Sequence, residues 1–171
     1  NFKVNTYSKI NILHYTLKSD IVLLLEVKME RFKMRVAVHL ILEHNNEFLL
    51  LRRYNTGYED GNYSVIAGHL NGNETIKEAM IREALEEANI TIDDKHLKIV
   101  GVMHRKDGDE SIDYYLYTNK FSGNVRIMEP NKCDDLAFYK LDNLPDNIIP
   151  YIKTALYNYK NNIIFSEYGI H

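Results

Sequence analysis

Carboxylates are concentrated in one short segment, residues 68–90, which reads GHLNGNETIKEAMIREALEEANI. Glu86 and Glu87 follow Glu83 by three and four residues. On a helix, these three side chains therefore emerge from one patch about one turn tall. Carboxylates this close raise one another's pKa and weaken a helix. A hard divalent cation removes that conflict, and Mg²⁺ prefers oxygen ligands and often shares them with substrate phosphates. The pattern therefore predicts a metal site that acts on a phosphate-containing substrate.

Three residues outside this patch, Gly68, Glu74 and Arg82, have offsets that suit such a site. Gly68 ends a predicted strand six residues before Glu74, where its carbonyl could supply a further oxygen. Arg82 lies eight residues after Glu74, hence near it on the helix, and could hold a carboxylate by a charge-assisted bond. The rival interpretation is a solvated helix stabilised by pairs such as Glu78 with Arg82. The offsets of Gly68 and Glu74 favour the metal site.

The helix that must carry these side chains has clear ends. Thr75 followed by Glu78 matches a capping box, although Asn73 competes as the N-cap. Asn89 lies where a helix commonly stops, because Asn tolerates the left-handed conformation there. Apolar residues at helical spacing predict that one side of the helix is buried. These residues are Ile76, Met80, Ala84, Leu85 and Ala88.

Strands are predicted on both sides of this helix. Residues 34–53 form two apolar stretches parted by His44, Asn45 and Asn46, which favours a hairpin. The remaining predicted elements are strands at 63–68, 96–105, 111–121 and 135–141, and a closing amphipathic helix within 147–160. This mixture favours an α+β class, with an αβα sandwich, over an alternating parallel sheet.

Length and composition exclude several classes of protein. A chain of 171 residues fits one domain, and a net charge of -3 with scattered basic residues predicts no binding to nucleic acid or membranes. Cys133 is the only cysteine, so no disulfide framework exists, and a small buried side chain is expected. The apolar run at 21–25 is too short to span a membrane, so we expect a cytoplasmic protein. Residues 1–28 are expected to be an extension of uncertain status before a single domain at 29–171.

The segment resembles the box of the Nudix hydrolases, G-x5-E-x7-R-E-U-x-E-E-x-G-U, where U is a bulky aliphatic residue. The matching positions are Gly68, Glu74, Arg82, Glu83, Glu86, Glu87 and Ile90. Ala84 replaces a bulky aliphatic residue, and Asn89 replaces a glycine. A weaker resemblance over about residues 34–160 implies the family's α/β/α sandwich with a mixed sheet.

This resemblance implies hydrolysis, dependent on Mg²⁺ or Mn²⁺, of a nucleoside diphosphate that is linked to another group. It carries over Glu83, Glu86, Glu87 and the Gly68 carbonyl as metal ligands, with Arg82 and Glu74 as the pair that orients them. Family members often recruit a further acid beyond the box as base or ligand. The best candidate is Glu129, with Asp134 or Asp135 and then Asp109 or Glu110 as alternatives.

Other residues are candidates for contacts with the substrate. Strand alternation puts only one of Arg52 and Arg53 on the substrate face, where it could clamp a phosphate. Tyr63, like Tyr58, could stack on a base, and His69 could reach a phosphate or the attacking water. Phe138 is a minor stacking candidate, since core packing is its default role.

The predicted function is that of a MutT-like nucleotide pyrophosphohydrolase, which cuts a nucleoside triphosphate to the monophosphate and pyrophosphate. The alternatives are a pyrophosphatase for ADP-ribose or another nucleoside-diphosphate sugar, and a catalytically silent Nudix-fold module that binds nucleotides. The expected partner is a small-molecule nucleotide, and the oligomeric state is left open.

Overall fold

The computed structural model describes residues 11–17, 20–26 and 31–170. Backbone contacts divide the chain into two units, residues 1–33 and 34–171. In the first unit, β1 (Asn11–Leu17) pairs antiparallel with β2 (Asp20–Glu26), and the apolar run at 21–25 lies in β2. The status of residues 1–28 as an extension stays a prediction.

The second unit is a mixed sheet with two helices. Its elements are β3 (Arg35–His44), β4 (Glu47–Arg53), β5 (Tyr63–Ser64), β6 (Ala67–His69), α1 (Ile76–Ala88), β7 (Lys98–Asp107), β8 (Asp109–Thr118), β9 (Cys133–Tyr139), α2 (Pro150–Lys160) and β10 (Phe165–Tyr168). The sheet order is β10-β7-β8-β3-β4-β5, with β6 beside β3 and β9 beside β4. Strand β3 runs parallel to β8, and β10 runs parallel to β7, whereas the other pairs are antiparallel.

Two apolar cores flank the sheet and place one helix on each face. Val38 and Leu40 of β3 pack in the core that holds the buried residues of α1. Ile41 of the same strand points to the other face and packs in the core that holds Ile152 and Leu156 of α2. Neighbouring positions of one strand therefore serve opposite layers, as strand geometry requires. The predicted α+β class with an α/β/α sandwich and a mixed sheet is confirmed.

The predicted hairpin of β3 and β4 forms around a two-residue turn. Asn45 and Asn46 have φ of 51° and 64°. Tight hairpins favour turns with positive φ at both central residues, and Asn tolerates this conformation better than most residues.

The sequence-based elements differ from the structure in four places. The predicted strand at 63–68 is interrupted and forms β5 and β6. Residues 106–110 were predicted as a loop, but they close the β7–β8 hairpin, which turns at Gly108. Strand β10 was not predicted, because its four residues carry little periodicity. Leu85 is 51% exposed, so its assignment to the buried face of α1 was wrong. The helix turns 100° per residue, so Leu85 faces away from the buried side on which Ala84 lies.

Within the described residues, no helix has the length and apolar character needed to cross a membrane. Cys133 is buried, as expected, and burial raises the pKa of its thiol. The cytoplasmic location stays a prediction.

Candidate active site

Helix α1 holds the acidic patch in a fixed position, because both of its ends are capped. The Thr75 hydroxyl accepts from the Glu78 backbone N–H at 3.2 Å, and the Glu78 carboxylate accepts from the Thr75 N–H at 2.7 Å. At the other end, Asn89 adopts the left-handed conformation, with φ 57° and ψ 38°. The predicted capping box and helix end are both present. Glu78 serves the cap, so the solvated pair of Glu78 with Arg82 does not form.

Small residues let α1 lie close to the sheet. Ala79, Ala84 and Ala88 are all fully buried. Ala84, which departs from the bulky aliphatic residue of the box, therefore contributes to close packing of the helix.

The carboxylates of α1 reach the backbone of β6. Glu87 accepts from the Ala67 N–H at 3.2 Å, and the Glu83 side chain packs directly against the α-carbon of Gly68. A β-carbon at residue 68 would overlap the Glu83 carboxylate. The box glycine is therefore needed for space at this close approach, since its φ is not in the left-handed region.

Arg82 links the acidic residues to one another. Its Nε and Nη2 donate to the two oxygens of Glu74 at 3.1 and 2.9 Å. Its Nη1 donates to Glu83 at 2.6 Å and to Glu86 at 3.2 Å, and Nη2 also reaches the His69 carbonyl at 3.2 Å. One guanidinium thus holds the loop after β6 and the acidic face of α1 together.

The electrostatics of the patch favour a bound cation. Burial, together with the nearby charges of Glu83 and Glu129, raises the pKa of Glu87 to about 8. Burial also raises the pKa of Glu83, against the lowering effect of Arg82. Carboxylates that are costly to ionise in the bare protein would be stabilised by added positive charge.

The donor set fits Mg²⁺ or Mn²⁺ by its chemistry, since it consists of carboxylate and backbone oxygens. Among the described residues, no three His, Cys, Asp or Glu side chains are grouped closely enough to hold an ion. Arg82 Nη1 bridges Glu83 and Glu86, donating to both carboxylates. Metal binding would require the carboxylates to draw together.

A cleft of about 500 Å³ opens along this patch. The predicted residues that line it are Gly68, Glu83, Glu86, Glu87, Glu129, Arg53, Tyr58 and His69, together with the alternative acid Asp109. Lys132 also lines the cleft and donates to Glu129 at 2.8 Å. The three box carboxylates and the best candidate for the additional acid therefore share one cavity.

Arg53 is the arginine of the pair that faces the cleft. Its Nε donates to the Tyr58 carbonyl at 2.7 Å, and its Nη2 donates to Thr56 at 3.0 Å. The loop after β4 therefore fixes this positive charge at the cavity wall.

Three predicted substrate contacts lie outside the cleft lining, and we do not retain them. Arg52 forms a two-bond pair with Asp134, at 2.7 and 3.1 Å, because strand alternation turns it away from Arg53. Tyr63 is 7% exposed and donates to Asp135, and Phe138 packs against the core under α1. Asp134 and Asp135 are thus engaged away from the cavity.

Sequence reasoning missed three residues that line the cleft. His39, Arg105 and Tyr151 line it from β3, β7 and α2. His39 sits in the apolar run of β3, and the sequence contains no motif that links it to residues so distant. The Asp109 alternative also lines the cleft, where it pairs with Arg35 at 2.7 Å.

The family model described as the NUDIX domain matches residues 32–158 of this chain. Since this match covers most of the chain, the chain belongs to the Nudix family.

The chain also matches curated relatives at low identity. The chain is 25% identical over 131 residues to the NAD-capped RNA hydrolase NudC of Escherichia coli O157:H7, covering 77% of this chain and 49% of the relative. It is 29% identical over 113 residues to the ADP-ribose pyrophosphatase of Methanocaldococcus jannaschii, covering 64% of each. The chain thus spans about half the length of the NudC relatives it matches.

Solved structures share the fold. A MutT NUDIX hydrolase from Burkholderia pseudomallei superposes with a TM-score of 0.69 at 24% identity, covering 74% of this chain and 98% of that one. A MutT protein from Methanosarcina mazei Go1 gives a TM-score of 0.66 at 19% identity, covering 75% and 94%. At these identities the likeness establishes the fold alone.

Proposed function

We propose that this protein hydrolyses a phosphoanhydride bond in a nucleotide with the help of Mg²⁺ or Mn²⁺. The observation that carries the proposal is that Glu83, Glu86 and Glu87 share one cleft with Glu129 and with the basic side chain of Arg53. Acidic residues that bind a cation beside a fixed guanidinium suit a substrate with two linked phosphates.

The metal would be held by Glu83, Glu86, Glu87 and the Gly68 carbonyl. When bound, it would polarise the phosphate oxygens and neutralise the charge that develops on them. Arg82 and Glu74 position these ligands, because their pair joins the loop after β6 to α1.

The protein's own side chains supply the remaining roles. Arg53, fixed by Tyr58 and Thr56, binds a phosphate of the substrate. Glu129 faces the same cavity and accepts the proton from the attacking water. Lys132 donates to Glu129 and thereby orients that carboxylate at the wall of the cleft.

Two substrate classes are compatible with this chemistry. The sequence favours a nucleoside triphosphate, cut to the monophosphate and pyrophosphate. The second class is a nucleoside diphosphate joined to another organic group, such as ADP-ribose. The names of the relatives support this class, since they include an ADP-ribose pyrophosphatase and an NAD-capped RNA hydrolase.

A panel measured with Mg²⁺ tests the proposal and separates the two classes. It contains the nucleoside triphosphates, ADP-ribose, NAD and an NAD-capped RNA oligonucleotide, with products resolved by chromatography. Turnover should be lost in Glu86→Gln, whereas Glu167→Gln, at an exposed position of β10, should retain it. Tight nucleotide binding without turnover of any substrate would favour the catalytically silent module instead.

A further inference from the structure

The loop of residues 54–62, which joins β4 to β5, determines where the Arg53 guanidinium points. Arg53 is the last residue of β4 and lines the cleft. Its Nε donates to the Tyr58 carbonyl at 2.7 Å, and its Nη2 donates to the Thr56 hydroxyl at 3.0 Å. Both acceptors belong to the loop. Whatever fixes the loop therefore also fixes this guanidinium.

Arg53 keeps its positive charge available to a ligand. The other arginines that line the cleft, Arg35 and Arg105, are paired with Asp109 and Asp113 at 2.7 and 2.6 Å. Within the described part of the chain, Arg53 bonds to neutral oxygens instead, and its Nη1 has no hydrogen-bond partner. A guanidinium in this state suits a phosphate oxygen.

The loop adopts a backbone conformation that needs support. Asn55 and Glu59 both have φ of 53°, in the left-handed region that is costly for residues with a β-carbon. The Asp60 carboxylate accepts from the Thr56 N–H at 2.8 Å and from the Gly57 N–H at 2.9 Å. The Asp60 side chain is exposed, so these hydrogen bonds, rather than packing, hold the loop around it.

Asp60 also sets the direction of the Thr56 hydroxyl. That hydroxyl has one proton and two acceptors within reach, Asp60 Oδ1 at 2.7 Å and the Tyr58 carbonyl at 2.9 Å. The carboxylate is the stronger acceptor. A hydroxyl that donates to Asp60 turns its lone pairs toward Arg53 Nη2. The Thr56 hydroxyl and N–H, followed by the Gly57 N–H, lower the pKa of the Asp60 carboxyl, so it is ionised at neutral pH.

We propose that Asp60 is a positioning residue, which directs the Arg53 guanidinium toward a phosphate of the substrate through Thr56. This inference rests on the proposed function, since it assigns a support to the phosphate-binding arginine of that site. Asp60 lies outside the cleft lining, so it acts without touching the substrate. The chain of contacts runs from carboxylate to hydroxyl to guanidinium.

A double-mutant cycle between Asp60 and Arg53 tests this role. Asp60→Ala should lower kcat/KM by about tenfold for the best substrate of the nucleotide panel, chiefly through a higher KM. In an Arg53→Ala protein, the same change should cost no more than about twofold, because the group that Asp60 positions is gone. The Tm should fall equally in both backgrounds, since the loop contacts of Asp60 are lost in each.

Two changes at Thr56 test the link between them. Thr56→Val removes the hydroxyl but keeps the shape of the side chain, and it should reproduce the effect of Asp60→Ala. Thr56→Ser keeps the hydroxyl and should retain activity. Glu59→Ala is the matched control, because it removes a carboxylate of the same loop that bonds to Asn62 instead. Its kcat/KM should be close to that of the original protein.

Binding of methylenediphosphonate, a diphosphate analogue with a bridge that cannot be hydrolysed, gives a readout without turnover. Calorimetric titration with Mg²⁺ present should show the same dependence on Asp60, again only where Arg53 is intact. Equal losses from Asp60→Ala in the two backgrounds would reduce Asp60 to a structural role and overturn the proposal. Unaltered binding and kcat/KM in Asp60→Ala would also overturn it.

The outcomes separate this inference from the proposed function. If the diphosphonate binds with the expected dependence on Asp60 and Arg53 while no nucleotide is hydrolysed, the positioning role stands and the proposed hydrolysis fails. If nucleotides are hydrolysed but the cycle is additive, the hydrolysis stands and the positioning role fails. A diphosphonate that does not bind the original protein, together with an inactive panel, would overturn both.

Discussion

The Arg82 guanidinium is bonded to Glu74 through two parallel contacts, Nε to Oε2 at 3.1 Å and Nη2 to Oε1 at 2.9 Å. Both side chains are mostly shielded from solvent, at 26% and 15% exposure. This pair joins the loop that follows β6 to the helix that carries the acidic patch. It therefore determines where the Glu83 carboxylate lies relative to Gly68.

Replacing Arg82 by Lys keeps the charge but removes the two-bond geometry. We expect kcat/KM to fall by about 10- to 100-fold, the usual cost of losing a residue that orients metal ligands. Arg52→Lys is the control, because it breaks an equivalent pair with Asp134 that lies outside the cleft. Equal losses of activity in the two variants would contradict the positioning role of Arg82.

Gly68→Ala should damage the site more than the fold. The added methyl would overlap the Glu83 carboxylate, which can swing away, so the helix remains but the ligand is displaced. We expect activity to fall by about 100-fold or more, with only a small change in Tm. Gly72→Ala adds the same methyl where no atom lies within 4 Å and should be active. A fully active Gly68→Ala protein would show that this close approach is not required.

Glu87→Gln tests whether the patch binds a divalent cation. Burial raises the pKa of Glu87 to about 8, so the charged form is costly in the metal-free protein. In EDTA at pH 8.5 the variant should therefore be as stable as the original protein, or more so. Mn²⁺ should raise the Tm of the original protein but not that of the variant. A similar Mn²⁺-dependent rise in both would exclude Glu87 as a ligand.

The left-handed residue that ends α1 can be tested by two substitutions. Asn89 has φ 57°, a conformation that costs a residue with a β-carbon roughly 1–2 kcal/mol, and Gly pays no such penalty. Asn89→Ala should lower the free energy of unfolding by about 1 kcal/mol relative to Asn89→Gly. Urea denaturation measures the difference. An Ala variant as stable as the Gly variant would mean that the helix ends differently.

Asp113 should make stability depend on acid pH. Burial alone would raise the pKa of its carboxyl, but the neighbouring His39 and Arg105 outweigh this and hold the pKa well below its usual range. A carboxyl with a lowered folded-state pKa contributes stability that is fully present above its unfolded value, about 3.9, and is lost as the pH falls through the folded value. Asp113→Asn should therefore cost about 3–5 kcal/mol at pH 7, and less below pH 4.

Urea unfolding from pH 7 to pH 2.5 measures this dependence. Asp146→Asn, at an exposed loop position, is the control and should follow the original protein throughout. A constant difference between Asp113→Asn and the original protein at every pH would contradict the ionised, paired state of Asp113.

The sequence by itself determined the local features of the site. Helix α1, its capping box at Thr75 and its end at Asn89 follow from residue types within one segment, because capping and helical periodicity depend on neighbours a few positions apart. The same locality put Glu83, Glu86 and Glu87 on one patch. Alternation along β4 is also a local property, and it predicts that only one of Arg52 and Arg53 faces the cleft.

Only the tertiary structure decided which distant residues meet. Tyr63 and Phe138 are as aromatic as Tyr58 and Tyr151, yet Tyr63 bonds to Asp135 of β9 and Phe138 packs against the core under α1, whereas Tyr58 and Tyr151 line the cleft. The cleft also draws His39, Arg105 and Tyr151 from β3, β7 and α2, which are far apart in the chain. Such contacts depend on strand order and on the layers of the sandwich, and local residue patterns do not specify these.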